Sequence, residues 1–319
     1  MKVILAASGT FALPSLEIMA ANLPAENLLV VSQPDRRRGR GRQYHPTPIK
    51  LRALELGLSV ITPEKLGSQA DMEICSKFAA DFLVVIDYGQ LIPHSLITLP
   101  RQSSINLHPS LLPAYRGPAP IIWSLLQGDE VTGVTTQLLA DEIDCGDILL
   151  QRKSEIKASE TSTQLTEKLQ NLGAELAWET LKKWQAGLLK PIPQENDKAS
   201  YAPKLHKHDG LLNWNQDAHE LERRIRALNP WPGTYTFWRG KRLKILMATL
   251  TTKNPLEPLT SGAIWIHGHQ LYTACGSGFI QITRVQPEGR RPQNASDFLR
   301  GNHVTTGEQF NSQEKVLSP

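Results

Sequence analysis

The chain has 319 residues, of which 40% are hydrophobic and 21% are charged, and its formal net charge is +4. This length favours two domains, and this composition allows each domain to bury a sizeable core. No uninterrupted apolar run reaches the roughly 18 residues of a membrane-spanning helix, so no membrane partner is expected. The cysteines Cys75, Cys145 and Cys275 form no Cys-x-x-Cys pair. Their spacing argues against a zinc site and favours a reducing cytoplasm.

Positive charge is concentrated in two parts of the sequence. Residues 34–50 hold six Lys and Arg against one Asp, and residues 210–319 hold 13 Lys and Arg against 8 Asp and Glu. The rest of the chain is therefore acidic overall. Two basic regions on an acidic body are typical of a protein that binds a polyanion, although surface lysines and arginines are also ordinary solubilising groups.

Strands and helices alternate along the first half of the chain. Residues 2–7 predict a buried first strand rather than a leader peptide, because Ser8-Gly9-Thr10 interrupts the apolar run and Pro14 then begins a helix. The alternation continues with strands at 28–32, 59–61 and 82–86 and with helices at 14–22, 48–56 and 69–78. Such alternation indicates a mostly parallel sheet with helices on both faces.

The first domain is expected to end with a different arrangement. A strand at 105–107 precedes two strands, at 134–139 and 148–152, that are expected to lie antiparallel beside it. A long helix at 161–186 follows, and its leucines recur near helical spacing and predict core positions. We therefore predict a first domain at residues 1–189.

The second half of the chain has another composition. Residues 190–208 are rich in Pro, Gln, Asn and Lys and predict a linker. A short helix at 221–228 is then followed by short strands between Gly, Pro and Asn turns, at 235–238, 243–250, 262–266, 270–274 and 278–285. This pattern predicts a small β-barrel of the oligonucleotide-binding (OB-like) type at residues 209–319.

The stretch from Ile105 to Pro113 carries the clearest chemical signal. Residues two apart in a strand share a face, so Asn106 and His108 should project together while Ile105 and Leu107 anchor the other face. An α/β enzyme commonly has its site at the carboxyl edge of its sheet, where the strands end in turns. The amide and the imidazole at the end of this strand, followed by a turn, are typical of such a site. The alternative from the residues alone is an edge strand with two solvated polar side chains.

Two motifs in this order resemble the folate-dependent formyltransferases. The first runs from Asn106 through His108 and Ser110 to Pro113, and the second is Asp144-Cys145-Gly146-Asp147. The similarity continues through segments 11–16, 84–93, 224–233 and 286–291, nearly from end to end of the chain. It implies a Rossmann-like catalytic domain followed by the barrel, and transfer of a formyl group from 10-formyltetrahydrofolate to an amine.

The resemblance also implies which residues carry the reaction. Asn106 and His108 would donate hydrogen bonds to the oxyanion of the tetrahedral intermediate. Asp144 would hold His108 as a cation or take the proton of the amine, and Asp141 and Asp147 are competing candidates. The folate would be bound by two segments, Ser110, Leu111, Leu112 and Pro113 together with Tyr88, Gly89, Gln90 and Leu91. The sequence contains no phosphate-binding glycine loop and no Cys/His cluster, so no nucleotide cofactor and no metal are expected.

The basic segment after the second predicted strand suggests the partner. Five arginines fall within seven residues, and arginine pairs bidentately with phosphate: Arg36, Arg37, Arg38, Arg40 and Arg42. The resemblance extends to the branch of the family that formylates methionyl initiator tRNA for translation initiation, and it implies that this basic segment meets the acceptor end of the tRNA. Weaker phosphate-contact candidates lie in the second basic region, namely Lys241, Arg242, Lys244, Arg290 and Arg291.

Two other functions are compatible with parts of this pattern. A formyltransferase for a small amine, such as an amino sugar nucleotide, would share the Asn-His-Asp set but would not need five arginines in one loop. A protein that binds RNA on a catalytically silent scaffold would not need Asn106, His108 and Asp144. The expected enzyme is a cytoplasmic monomer that binds folate and tRNA.

Overall fold

The computed structural model describes residues 1–38 and 43–312, with the backbone alone for Arg38, and divides the chain into two compact units. Unit 1 comprises Met1–Pro120, Val131–Glu155 and Thr166–Ala202. Unit 2 comprises Ile121–Glu130, Ile156–Leu165 and the chain from Pro203 onward. The units are therefore not consecutive along the sequence, and most of the segment predicted as a linker is packed within unit 1.

Unit 1 is built on a seven-stranded sheet. Its strands are β1 (Val3–Ala7), β2 (Leu28–Val31), β5 (Ser59–Ile61), β6 (Phe82–Ile86), β7 (Ser103–His108), β8 (Val131–Leu138) and β9 (Ile148–Glu155). Their order is β5-β2-β1-β6-β7-β8-β9, with parallel pairing up to β7 and antiparallel pairing across β7, β8 and β9. The predicted mostly parallel sheet with an antiparallel end is confirmed. The strands β1, β2 and β6 are buried along their whole length, as a parallel sheet covered on both faces requires.

The helices predicted at 14–22, 48–56, 69–78 and 161–186 begin within one residue of the predicted positions, whereas the short helix at His94–Ile97 was not predicted. The helices of this part of the chain are α1 (Leu13–Asn22), α2 (Pro48–Glu55), α3 (Gln69–Phe78), α4 (His94–Ile97), α5 (Pro120–Gln127) and α6 (Ser162–Gln185). The Thr47 hydroxyl accepts from the Lys50 backbone N–H at the start of α2, and Ser68 and Asp71 form a capping box on α3. Caps of this kind satisfy backbone N–H groups that have no partner inside the helix.

Unit 2 contains a curled antiparallel sheet. Its elements are α7 (Ala218–Leu228), β10 (Tyr235–Trp238), β11 (Lys241–Thr251), β12 (Ile264–His267), β13 (Gln270–Ala274), β14 (Phe279–Pro287), β15 (Gln293–Asn294), α8 (Ala295–Asn302) and β16 (Phe310–Asn311). The order is β12-β13-β14-β11-β10-β16, and backbone hydrogen bonds join residues 262–264 to 307–310 at its two ends. Leu221, Ile225 and Phe298 fill its interior. This architecture is consistent with the predicted OB-like barrel.

The basic segment and helix α8 are among the elements that differ from the sequence-based expectation. The arginine-rich segment, predicted as a loop, pairs as a hairpin of β3 (Arg36–Arg38) and β4 (Gln43–His45). No alternation of apolar residues indicates these strands, because neither face of the hairpin belongs to a core. Helix α8 was also not predicted, since it is short and buries few apolar side chains, chiefly Ala295 and Phe298.

Candidate active site

The end of β7 places two polar side chains beside one carboxylate. Asn106 Nδ2 donates to Asp144 Oδ1 over 3.3 Å, and His108 Nδ1 lies 3.5 Å from the same oxygen. The His108 and Asp144 side chains are only 5% and 12% exposed. Burial strengthens each of these interactions, because little water competes for the charge. The structure thus brings together all three residues that the resemblance implied.

Two further groups hold the Asp144 carboxylate. Gln137, which faces Asn106 across β7 and β8, donates from Nε2 to Oδ1 over 3.1 Å. The backbone N–H of Gly117 donates to Oδ2 over 2.8 Å. Neither residue was predicted, because an isolated Gln in a strand and a Gly in a turn carry no chemical signal of their own. The competing Asp141 instead forms an exposed ion pair with His94 over 2.9 Å.

Both ring nitrogens of His108 face oxygen atoms. Nε2 is 2.9 Å from the backbone carbonyl oxygen of Tyr115, and a carbonyl can only accept, so this nitrogen carries a proton. Nδ1 faces the Asp144 carboxylate. The arrangement suits an imidazole that exchanges its second proton with Asp144 and keeps a fixed ring orientation meanwhile. Because the Tyr115 carbonyl engages His108 Nε2, the group that can donate to an oxyanion is the Asn106 amide, which has a second hydrogen besides the one it donates to Asp144.

A cavity of about 310 Å³ adjoins Asn106 and Asp144. Its wall is mostly apolar and is formed by β6, the loop after it, and the acidic loop at 138–146: Val85, Gln90, Leu91, Ile92, Ile97, Asn106, Gln137, Leu138, Leu139, Ala140, Asp141, Glu142, Ile143, Asp144 and Gly146. Leu91 and Ile143 on this wall are 79% and 64% exposed. Apolar side chains left open at the rim of a cavity are typical of a ligand site.

The structure places the predicted folate residues in different surroundings. Gln90 and Leu91 line the cavity beside Asp144, whereas Tyr88 and Gly89 line a second cavity. The segment 110–113 lines neither of these two cavities. Ser110 and Leu112 are buried, and Thr135 Oγ1 bonds to the Ser110 carbonyl oxygen and to the Leu112 N–H. The sequence missed the apolar wall at Val85, Ile92 and Ile97, which looks like any core segment.

The second cavity, of about 400 Å³, lies at the carboxyl ends of β1, β2 and β6. Its wall includes Gly9, Gln33, Arg36, His45 and Asp87. Burial raises the pKa of the Asp87 carboxyl from 3.8 to about 6. The carboxylate lies directly over Gly9, where even a methyl group would overlap it.

We expect this carboxyl to make stability depend on pH. Because the folded protein binds the Asp87 proton more tightly than the unfolded chain, the associated stability is present below about pH 4 and is lost as pH rises through about 6. Asp87→Asn, which is neutral at every pH, should therefore gain Tm relative to the original protein as the pH rises from about 4 to 7. The carboxylate packs against Gly9, but the residue as a whole is exposed to solvent, so screening keeps the gain modest. Calorimetry at several pH values measures it, and a pH-independent Tm difference would contradict it.

The predicted RNA-contact residues lie in both units. In unit 1, Arg36 is 3.5 Å from the Glu64 carboxylate and Arg37 stacks over the Tyr44 ring at 5.2 Å. Arg40, Arg42 and the Arg38 side chain lie outside the described residues. In unit 2, Lys241 and Lys244 are exposed on β11, and the Arg242 guanidinium stacks on the Tyr235 ring at 3.6 Å. Arg290 and Arg291 are exposed just after β14, which pairs with β11.

Neither a candidate metal site nor a membrane-spanning helix is present in the part of the chain that the structure describes. Among those residues, no group of three or more His, Cys, Asp and Glu side chains could hold a metal ion. Within residues 1–38 and 43–312, no helix combines the length and apolar character needed to cross a bilayer.

Comparison with known proteins identifies the family. Residues 1–181 match the family model described as "Formyl transferase", and residues 204–303 match the one described as "Formyl transferase, C-terminal domain". The chain belongs to the formyl transferase family. It is similar along nearly its whole length to curated methionyl-tRNA formyltransferases. The one from Syntrophus aciditrophicus (strain SB) is 41% identical over 299 residues, 93% of this chain and 95% of the relative.

Further similarities agree with this assignment. The methionyl-tRNA formyltransferase of Synechococcus sp. (strain JA-3-3Ab) is 39% identical over 318 residues, 97% of this chain and 98% of the relative. Among solved structures, the sugar 3N-formyl transferase WlaRD, crystallised in the presence of dTDP and 5-N-formyl-THF, superimposes with a TM-score of 0.67. That match covers 91% of this chain and 99% of WlaRD at 18% identity, which supports the fold alone.

Proposed function

We propose that this protein transfers the formyl group of 10-formyltetrahydrofolate to the free amino group of methionyl initiator tRNA, for translation initiation. The observation that carries the proposal is the buried contact of Asn106 and His108 with Asp144, at the edge of a largely apolar cavity. The relatives of 41% and 39% identity bear the same activity in their names over nearly the whole chain.

Asn106, His108 and Asp144 can each assist a different part of the reaction. The neutral amine attacks the formyl carbon, and the Asn106 amide donates to the oxygen that becomes negative. The His108–Asp144 pair accepts the proton that the amine loses as the new C–N bond forms. When the bond from the formyl carbon to the folate nitrogen breaks, that nitrogen takes up a proton and tetrahydrofolate leaves. Protons and bonds therefore balance without a metal.

The cavity beside Asp144 is the proposed folate site. The residues Gln90, Leu91, Ile92 and Leu139 offer apolar walls and one amide for the donor. The roles of Tyr88, Gly89 and segment 110–113 in folate binding remain part of the proposal, and these residues would act by supporting the wall. We also propose that the enzyme is a cytoplasmic monomer. The three free cysteines support the cytoplasmic location, because thiols stay reduced there.

One assay tests this function against its two rivals. Purified protein is given 10-formyltetrahydrofolate with charged initiator tRNA, with uncharged initiator tRNA, or with an amino sugar nucleotide. We expect formyl-methionyl-tRNA to form with charged initiator tRNA and no product with the other two. Formylation of the amino sugar alone would establish the small-amine enzyme. Tight tRNA binding without any product would establish a silent RNA-binding scaffold.

A further inference from the structure

Gln194 lies against the loop that carries Asp144. It belongs to the segment after α6, where Ile192 pairs with Ile148 at the start of β9. The Gln194 Nε2 atom lies 2.7 Å from the Gly146 carbonyl oxygen and 2.9 Å from the Asp144 carbonyl oxygen. It lies 3.1 Å from Gln137 Oε1 as well. One side-chain amide thus donates to the acidic loop on both sides of Cys145 and to the strand beside it.

The orientation of this amide is set by Arg116. Arg116 is 4% exposed, and its Nε and Nη2 atoms donate to Gln194 Oε1 over 3.0 and 2.7 Å. Nη2 also donates to Asn196 Oδ1 over 2.9 Å. A guanidinium has donors and no acceptor, so Gln194 must turn its oxygen toward Arg116 and its nitrogen toward the loop.

The orientation of the Gln194 amide in turn sets the orientation of the Gln137 amide. Because the Gln194 nitrogen faces Gln137 Oε1, the Gln137 nitrogen is left to face Asp144 Oδ1. Through these contacts, the Asp144 carboxylate, which also lies beside His108, faces the donor nitrogen of Gln137 and not its acceptor oxygen. A reversed Gln137 would place its own oxygen against that carboxylate and repel it.

The loop needs such support because of its backbone. Asp144 has φ 56°, a left-handed conformation that costs free energy in any residue with a Cβ. Gly146 packs so closely on the Leu138 carbonyl that a Cβ there would collide with it. A strained residue keeps its conformation only when its surroundings hold it in several places at once.

We propose that Gln194 is a positioning residue that clamps the acidic loop, so that the Asp144 carboxylate stays in reach of His108 and Asn106, and that Arg116 acts through it. The catalytic consequence rests on the proposed function, whereas the effect on the loop does not. The clamp should matter mainly in the transition state, because the cavity-wall residues that it contacts are Gln137, Asp144 and Gly146, which hold the carboxylate in place, and not the apolar residues around Leu91.

Gln194→Glu is the sharpest test. The variant keeps the shape and an oxygen for Arg116, but it replaces the Nε2 donor with an oxygen that faces two carbonyls. We expect kcat for formyl transfer to fall on the order of 10- to 100-fold, with KM for tRNA and for folate changed by less than about twofold. Hydrogen exchange, followed by mass spectrometry, should become faster in peptides covering 138–147.

Two further variants make the test specific. Asn196→Ala removes a neighbouring partner of Arg116 that does not touch the loop, and it should leave both kcat and exchange close to those of the original protein. Gln137→Leu should lower kcat, and the double variant Gln137→Leu/Gln194→Glu should be little worse than the poorer single variant. Residues that act along one chain of contacts are non-additive in this way, whereas independent structural damage adds.

The outcomes separate the clamp from the proposed function. Faster exchange in 138–147, lower kcat and unchanged KM in Gln194→Glu support the clamp. Unchanged exchange overturns it, and so does faster exchange with unchanged kcat or with a raised KM alone. If the original protein itself forms no formyl-methionyl-tRNA, the proposed function fails, and the exchange comparison of Gln194→Glu with Asn196→Ala still decides whether Gln194 holds the loop.

Discussion

Replacing His108 or Asn106 with Ala, or Asp144 with Asn, is expected to lower kcat for formyl-methionyl-tRNA synthesis by about 100-fold or more in each case. A factor of 100 corresponds to ~2.7 kcal/mol of lost transition-state stabilisation. The physical reason is that the three side chains meet at one carboxylate oxygen, within 3.3 and 3.5 Å, and act on charge that develops only during the reaction. Single-turnover kinetics with saturating folate and tRNA measure the effect on chemistry.

The matched control for Asp144→Asn is Asp147→Asn. Asp147 lies in the same Asp-x-Gly-Asp motif, and its backbone carbonyl oxygen accepts a hydrogen bond from the Leu138 N–H. The Asp147 variant should therefore keep kcat within about twofold, since its carboxylate meets neither His108 nor Asn106. Circular dichroism and Tm establish that each variant folds. Near-normal turnover in any two of the three active-site variants would remove the proposed set.

Replacing the five arginines of the basic segment with Ala should lower kcat/KM for tRNA by on the order of 100-fold at physiological salt, with folate affinity unchanged. Each phosphate contact releases condensed counterions, so the loss of several contacts weakens binding and flattens its salt dependence. The described part of the segment supports this role, because Arg36 and Arg37 on β3 and the paired residues of β4 are exposed. The measurement is kcat/KM across a salt series.

A five-fold Arg→Lys variant is the control that separates charge from geometry. Lysine keeps the positive charge but cannot form the bidentate fork of a guanidinium. We expect this variant to keep the salt slope and to recover only part of kcat/KM. If the Ala variant shows the kinetics and salt slope of the original protein, the hairpin is an ordinary solvated surface, and the small-amine reaction becomes the better candidate.

The sheet of unit 1 was predictable because its signals are local. Strands at 59–61 and 82–86 and the helix at 69–78 match the predicted bounds, since runs of apolar residues end there at Gly, Ser or polar groups. The barrel strands at 235–238 and 270–274 match as well. The strands β3 and β4 escaped prediction because their exposed residues show no apolar alternation, and α8 escaped because it is short and buries few apolar side chains.

The sequence predicted which chemical groups form the candidate site, but not how they are arranged. Asn106 and His108 lie two apart on one strand, and this spacing alone places them on one face. Asp144, 36 residues after His108, was assigned by resemblance and meets them through the return of β8 beside β7. The folate segments show the limit of this reasoning, since neighbours in sequence such as Gly89 and Gln90 line different cavities.

By itself, the sequence determined most of the longer elements, the parallel sheet, the barrel and the identity of the polar groups at the end of β7, because periodicity and turn residues act over a few positions. Only the tertiary structure decided what surrounds Asp144. Gly117, Gln137 and Gln194 reach its loop from three separate segments, and the buried Arg116 orients Gln194 and, through it, Gln137. The sequence does not indicate which groups a side-chain amide will contact. The groups that the fold places against the amide determine where its donor nitrogen and its acceptor oxygen point.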